Sequence, residues 1–482
     1  MTASTPPDHD RQEMFSVSRD DRHPWYFGLW AIFIIGVVLR FWGLGRFNEF
    51  VFDEVYYAKF ANNYLTNTPF FNAHPPLSQY IIAIGIWLGD MVPIGRDNVN
   101  ELTGSLRSTF SYRWMNAVWG SFIPVIVAAL GYQLTSRWRY AFLAGLVIAI
   151  DGLFLVDSRY ALNNIFLVLF GILGQLTLFF CVKVKKNTFK RYLWGFTAAF
   201  CFGSSVACKW NGLWFLLAIY ILLAFAWLCR SECVPEGIES SKNPIVLLSH
   251  LNPIEIITYL AAVPFGVYSL WWLPHLSQNP QPDFWKMQWE ILHYHEKVGN
   301  GPAVHPYCAD WYTWPLMLRP MAYYYKNIGG KTYLDVHAMG NPFLWWFSFA
   351  AISIAAIAFI YYLIKYVTPS KTDDKESNYL PLSRVALPVF FLANYAASLL
   401  PWVRVTRCLY IYHYMGALVF ATMGFAWIVD ISLSRPEKAY RALGITAIAI
   451  VVASFIWWMP IYLGLPLDGN GLKLRMWFRN WI

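Results

Sequence analysis

An acidic pair, Asp53–Glu54, stands in the run FVFDEVYYAKFA, among aromatic and apolar neighbours. A carboxylate withdrawn from water resists ionisation, so its pKa rises toward the range in which it accepts a proton from a hydroxyl. The plainer alternative is a helix start, where backbone N–H groups favour an anion. Arg113, Arg159, Lys209, Arg404 and Arg407 stand at the ends of apolar stretches, with His413 shortly after the last of them. Any one of these cations can simply snorkel to a membrane surface. Gathered on one face they suit a shared anion, and a lipid phosphate fits planar Arg together with a point-charge Lys. His74 precedes Pro75–Pro76 in NAHPPLSQY, a turn stiffened by its prolines. The stretch HYHEKVGNGPAVHPYCADWYTWPLMLRPMAYYY, residues 293–325, is rich in Trp, Tyr and His and suits a lid over a sugar and its acceptor. Its His293, His295 and Glu296 raise a metal reading, but HxH outside a patterned motif is a weak signal, and no metal site is expected.

The elements that must position these residues are apolar. The chain has 482 residues, 57% hydrophobic and 13% charged, where soluble domains carry about a quarter charged residues. Many apolar runs approach the roughly 20 residues that a bilayer span needs. The pattern predicts an all-α polytopic membrane protein with about eleven spans, at 25–45, 112–133, 139–156, 161–182, 192–208, 211–229, 254–274, 341–364, 384–402, 408–430 and 441–463. The shorter piece 77–92, broken by Asp90 and Pro93, reads as a helix lying at the interface.

Lys and Arg set the orientation. They crowd 183–191 (KVKKNTFKR), Arg137 with Arg139, the 365–384 connection with Lys371 and Lys375, and 431–441. The positive-inside rule makes that side cytoplasmic, with residues 1–24 as a cytoplasmic tail, 25–463 as the membrane domain and 464–482 outside. The first 24 residues carry both signs of charge and lack the pattern of a cleaved signal, so the first span reads as a retained anchor. Two long loops, 46–111 and 275–340, fall on the extracytoplasmic side with most of the histidines.

Net charge is +9, which in this setting means anchoring to a membrane surface rather than nucleic-acid binding. The seven Cys are scattered without CxxC spacing, so neither a disulfide framework nor a structural zinc is expected. No GxxxxGK[ST] loop is present, which argues against ATP-driven transport. No cytoplasmic domain is available for a nucleotide sugar, so a lipid-borne donor reached from outside fits the layout.

Seven ordered pieces then carry a family resemblance: FDEVYYAKFA, HPPLSQYIIAIGIWLG, YRWMNAVWG, DSRYALNNIFLVLF, ACKWNGLWF, HPYCADWYTWPLMLRPMAYYY and RCLYIYHYMGAL. From about Arg40 to Leu418 the chain resembles the protein O-mannosyltransferases, enzymes of the glycosyltransferase C fold that use dolichyl- or polyprenyl-phosphate-mannose. The resemblance implies inverting transfer to Ser or Thr hydroxyls of a secreted or translocating protein, without a cofactor. Asp53 would be the general base and Glu54 its companion. Arg113, Arg159, Lys209, Arg407 and His413 would bind the donor phosphate. His74, His305, Trp311, Trp314 and Arg319 would line or shape the site. Eukaryotic members carry a large β-trefoil in the second outer loop; at about 66 residues, 275–340 is too short for one, as in the compact bacterial form.

Two rival readings remain. Lipid A aminoarabinose transferases share the fold and the class of lipid donor, but the HPPL and RPMAYYY pieces favour the mannosyltransferases. A secondary transporter would hold its key charges near the bilayer midplane, whereas these lie at span ends.

Overall fold

The computed structural model describes residues 19–92, 95, 98–232, 243–368 and 382–482; Lys371, Lys375, Cys233 and most of the expected N-terminal tail lie outside them. Among the described residues nine helices are long and apolar enough to cross a membrane. They fall on nine of the expected spans. The expected 192–208 span is a less apolar 20-residue helix, α8 (Phe189–Cys208). The helices that matter for the site are α1 (Arg19–Phe41), α2 (Glu54–Thr66), α3 (Leu77–Gly89), α4 (Thr109–Thr135), α5 (Trp138–Ala149), α6 (Gly152–Asp157), α7 (Asn164–Lys183) and α9 (Leu213–Glu232). After them come α10 (Pro253–Gln278), α11 (Phe284–Lys297), α12 (Pro342–Val367), α13 (Leu382–Leu399), α14 (Met415–Ser434) and α15 (Lys438–Leu463).

The expected span 139–156 is not one helix. It breaks between α5 and α6, because Asp151 leaves the helical path to cap α6, accepting from the Phe154 N–H at 3.0 Å. The same carboxylate accepts from Trp345 Nε1 at 2.8 Å and from the Asn341 N–H at 3.3 Å, tying α6 to the start of α12. A side chain that satisfies several donors competes successfully with one more helical turn. The piece expected at the interface becomes the 13-residue α3, too short to cross, packed on α2 and α4.

Packing sorts the helices by their surroundings. The most apolar stretch of α7 is 89% buried within the protein, so it forms the centre of the bundle. The corresponding stretch of α12 is apolar but only 22% buried, with Ile357, Tyr361 and Ile364 exposed. A helix apolar all round that is not covered by protein needs an apolar solvent, and the bilayer supplies it.

One face of the bundle carries the two long connections, and both are folded. The first holds α2, α3 and the hairpin β1 (Val99–Leu102)–β2 (Ser105–Ser108). The second holds α11 and the hairpin β3 (Met321–Gly329)–β4 (Thr332–Ala338), extended by the short β5 (Leu467–Asp468) from beyond α15. Gly464 makes that last turn with φ +60°, and a Cβ there would meet the Phe47 ring at 2.3 Å. Only glycine combines that backbone with that approach.

Candidate active site

Asp53 stands at the N-terminus of α2 without capping it, so its carboxylate is left for other work. The turn before it is unusual: Phe52 has φ +54°, the left-handed region that a bulky residue avoids. Two contacts with β3 hold it there. The Phe52 N–H donates to the Tyr323 carbonyl at 3.1 Å, and the two rings stack at 4.3 Å. Backbone held in such a region clusters at functional sites, which makes the neighbouring Asp53 a candidate.

Glu54 plays a different part. It is fully buried, and its oxygens accept from Arg113 Nε and Nη2 (both 2.8 Å), from the Val51 N–H (2.9 Å) and from the Ala161 N–H (3.0 Å). Arg113 also donates through Nη1 to the carbonyls of Leu44 and Phe47, and through Nη2 to that of Glu49. A guanidinium has five N–H donors, and here all of them are engaged. The expectation that Arg113 grips donor phosphate is therefore revised. It is a buried counter-ion that fastens α4 to the Asp-Glu turn, flanked by the rings of Tyr112 and Tyr160. Arg159 is also revised: its terminal nitrogens donate to the carbonyls of Leu39, Arg40, Trp42 and Gly43, closing the C-terminus of α1, while its Nε is left without a protein partner.

The other cations do converge. A cavity of about 430 Å³ is lined by His74, Lys209, Trp214, His295, Trp402, Arg404 and Arg407, among others. Lys209 ends α8 in the turn before α9 and sits over the Tyr412 ring at 5.3 Å. Asp53 is not on the cavity wall itself, but its charge and that of Lys209 act on each other. Burial raises the Asp53 carboxyl from its usual range to about 6, with Lys209 pulling the other way. Burial and then Arg407 lower the Lys209 ammonium to about 8, against Asp53 and Asp157. His74 is held well below its usual pKa by burial, then by Lys209, His295 and Arg407, so it is a neutral ring.

His413 belongs to the same cluster. Its ring stacks on Trp314 at 5.9 Å and meets Trp402 edge-on at 4.5 Å, while Nδ1 faces the Tyr410 backbone. Nε2 of His413, Nδ1 of His295 and Nε1 of Trp402 are buried with no protein partner. Of these, His295 and Trp402 line the cavity, so polar groups free to bond are present on its wall.

The remaining expected residues lie further off. Trp314 reaches the cluster through His413 and through the Trp402 ring, which it meets edge-on at 5.6 Å, and its Nε1 donates to the Ala309 carbonyl at 3.0 Å. His305 stands edge-on to Tyr410 at 5.2 Å and accepts from the Tyr307 N–H. Trp311 packs edge-on to Tyr312. Arg319 is not at the cavity; it donates to the Pro306 carbonyl and to the backbone of Asn480 and Ile482, pinning the last residues to the second connection.

The reading of the cysteines is also corrected, because Cys308 and Cys408 form a disulfide. A pair 100 residues apart leaves no spacing signal in a chain; only the fold brings its ends together. The bridge is backed by the Ala309 N–H to the Leu409 carbonyl and the Cys408 N–H to the Gly299 carbonyl, both 2.8 Å. It thus clamps the second connection beside Arg407. Replacing both cysteines by Ser is expected to cost about 2–4 kcal/mol of stability, read as an earlier melt in detergent. Unaltered melting would show that the backbone bonds suffice.

Asp157 and Tyr323 were not singled out by sequence. An acid inside the apolar run that ends at DSRYALNN was the available signal.

Comparisons with known proteins place the chain in a family. A family model described as dolichyl-phosphate-mannose-protein mannosyltransferase matches residues 30–278. A second, the C-terminal four TMM region of protein-O-mannosyltransferase, matches residues 280–481. A polyprenol-phosphate-mannose–protein mannosyltransferase of Mycolicibacterium smegmatis is 25% identical, over 93% of this chain and 91% of that protein. Its namesake in Mycobacterium tuberculosis is 22% identical, over 93% and 90%. The protein O-mannosyltransferase complex of S. cerevisiae bound to the sugar donor has the same fold, with a TM-score of 0.78 at 14% identity over 97% of this chain and 93% of that one. The bundle is thus a glycosyltransferase C fold, and the chain belongs to the dolichyl-phosphate-mannose-protein mannosyltransferase family.

Proposed function

We propose that this membrane enzyme transfers mannose from a polyprenyl-phosphate-mannose lipid to Ser or Thr hydroxyls of proteins, on the extracytoplasmic face and with inversion at the anomeric carbon. The family match decides against the lipid A transferase reading. The observation that carries the mechanism is a carboxylate with its pKa raised to about 6, electrostatically coupled to Lys209 on a cavity that Arg404 and Arg407 also line.

Asp53 removes the hydroxyl proton as the acceptor oxygen forms its bond to the anomeric carbon. The bond from that carbon to the phosphate oxygen breaks, and the electron pair leaves with the lipid phosphate. Lys209 and Arg407 stabilise the charge that develops there. Glu54 and Arg113 hold the turn that aims Asp53. The crowding of Lys and Arg on the opposite face supports a cytoplasmic N-terminus and extracytoplasmic residues 464–482.

The test is transfer from labelled polyprenyl-phosphate-mannose to a Ser/Thr-rich peptide by purified enzyme, with and without chelator. Mannosyl-peptide is the expected product in both arms. Release of free mannose with no labelled peptide would overturn the acceptor assignment. The pH profile adds a second reading. Transfer needs ionised Asp53, which is present above about 6, and protonated Lys209, which is lost above about 8. A bell between those limbs is expected for kcat/KM; a flat profile from pH 5 to 9 would contradict the assignment of base and cation.

A further inference from the structure

A second carboxylate lies behind the site, and the transfer chemistry above does not use it. Asp157, at the end of α6, is fully buried. Its Oδ1 accepts from the Tyr323 hydroxyl at 3.0 Å and from Asn164 Nδ2 at 3.4 Å, while Oδ2 has no protein partner. Asn164 in turn presents its Oδ1 to Lys209 Nζ at 3.5 Å.

The direction of this chain of bonds is dictated by chemistry. Burial raises the Asp157 carboxyl to about 7, so on the alkaline limb it is mostly ionised; in that form it only accepts and selects the NH₂ end of the Asn164 amide. The carbonyl end is then turned toward Lys209, an ammonium that only donates. Were Asp157 neutral and able to donate, the amide would be free to reverse and to face Lys209 with its own N–H groups.

Tyr323 joins this chain to the base. Its ring and carbonyl hold Phe52 in the left-handed turn that presents Asp53, and its hydroxyl holds Asp157. One side chain on β3 therefore touches the support of the proton acceptor and the support of the phosphate cation. We propose that Asp157 and Tyr323 are positioning residues for the transfer, Tyr323 setting the Asp53 turn and Asp157 orienting Asn164 and Lys209 toward the donor phosphate. This rests on the transfer reading above.

The charges that face Lys209 come from several elements. Arg407 opposes its protonation, and Asp53 and Asp157 favour it. Lys209 in turn acts on His74 from the connection before α3, on His295 from α11 and on His413 from the turn before α14. Glu296 and Arg404 line the same cavity, and Tyr412 lies beneath the ammonium. Burial and Arg407 lower the Lys209 ammonium and the two acids oppose them, so removal of either acid moves the alkaline limb of the activity downward.

The experiment compares kcat and KM for polyprenyl-phosphate-mannose and for the peptide across pH in three variants. Asp157→Asn is expected to raise the donor KM about 10-fold, as loss of a hydrogen bond to a charged group does, and to lower the alkaline limb, with the peptide KM unchanged. Asn164→Asp on that background returns a carboxylate beside Lys209 and is expected to restore the limb. Tyr323→Phe keeps the ring stack and the backbone bond that set the Asp53 turn and removes only the hydroxyl bond to Asp157, so it is expected to raise the donor KM and lower the alkaline limb in the same direction as Asp157→Asn, with kcat near the parent's. A donor KM and alkaline limb equal to the parent's in Asp157→Asn would overturn the proposal. If Asp157→Asn does not fold, Tyr323→Phe decides, and parental kinetics there would overturn it. Asp53→Asn is measured alongside: full activity in that variant would sink the transfer reading itself, whereas inactive Asp53→Asn beside parental Asp157→Asn and Tyr323→Phe sinks only this inference.

Discussion

Asp53→Asn is expected to reduce mannosyl transfer by about 10²–10⁴-fold, the range that a positioned general base contributes. The enzyme should remain folded. Asp53 does not cap α2, and an amide occupies the same space. Stability should rise slightly rather than fall. The folded protein holds the Asp53 proton up to about 6, well above the usual 3.8. The native state therefore binds that proton more tightly than the unfolded chain does. Stability from this group is present below the unfolded pKa and is lost as pH rises through the folded one. At pH 7 the ionised carboxylate is a burden on the fold, which Asn removes. Transfer assays and thermal melts on the same preparation check both halves. An active variant, or one that melts earlier than the parent, would show that the carboxylate serves the fold instead of the reaction.

Arg113→Leu is expected to cost about 3–5 kcal/mol of stability, because it leaves Glu54 buried without its counter-ion. The loss should be read first as poor yield from the membrane and an early melt. Replacing both partners, Glu54→Gln with Arg113→Met, is expected to recover much of that stability, since removing a buried pair altogether is often close to neutral. Activity should stay low in the double variant, because the Asp53 turn loses its fastening. This outcome separates two roles for the arginine. A phosphate ligand would give a stable Arg113→Leu protein with a raised donor KM and no benefit from changing Glu54. The five occupied donors of Arg113 favour the first outcome.

These cases show how the residues divide between what a linear chain reveals and what it conceals. Apolar runs of membrane-spanning length marked most of the helices, because a span must satisfy its backbone internally and be apolar over a set length. The same logic exposed Asp53–Glu54 and the cations at span ends, since charge beside apolar runs is costly and therefore conspicuous. It could not say which cations meet. Lys209 and Arg407 face one cavity, while Arg113 and Arg159 face carbonyls and a carboxylate, and nothing in their flanking residues distinguishes them.

The bond between Asp151 and Trp345, the Cys308–Cys408 bridge and the reach of Tyr323 from β3 to Asp157 were likewise hidden. Each joins residues far apart in the chain, separated by 194 positions for Asp151 and Trp345, by 100 for the two cysteines and by 166 for Tyr323 and Asp157. By itself the sequence determined the membrane setting and the family and marked Asp53–Glu54 as candidates, all of them local properties of composition and motif. Only the tertiary structure decided which charge answers which, because a hydrogen bond or ion pair depends on ångström distances that helix packing alone sets.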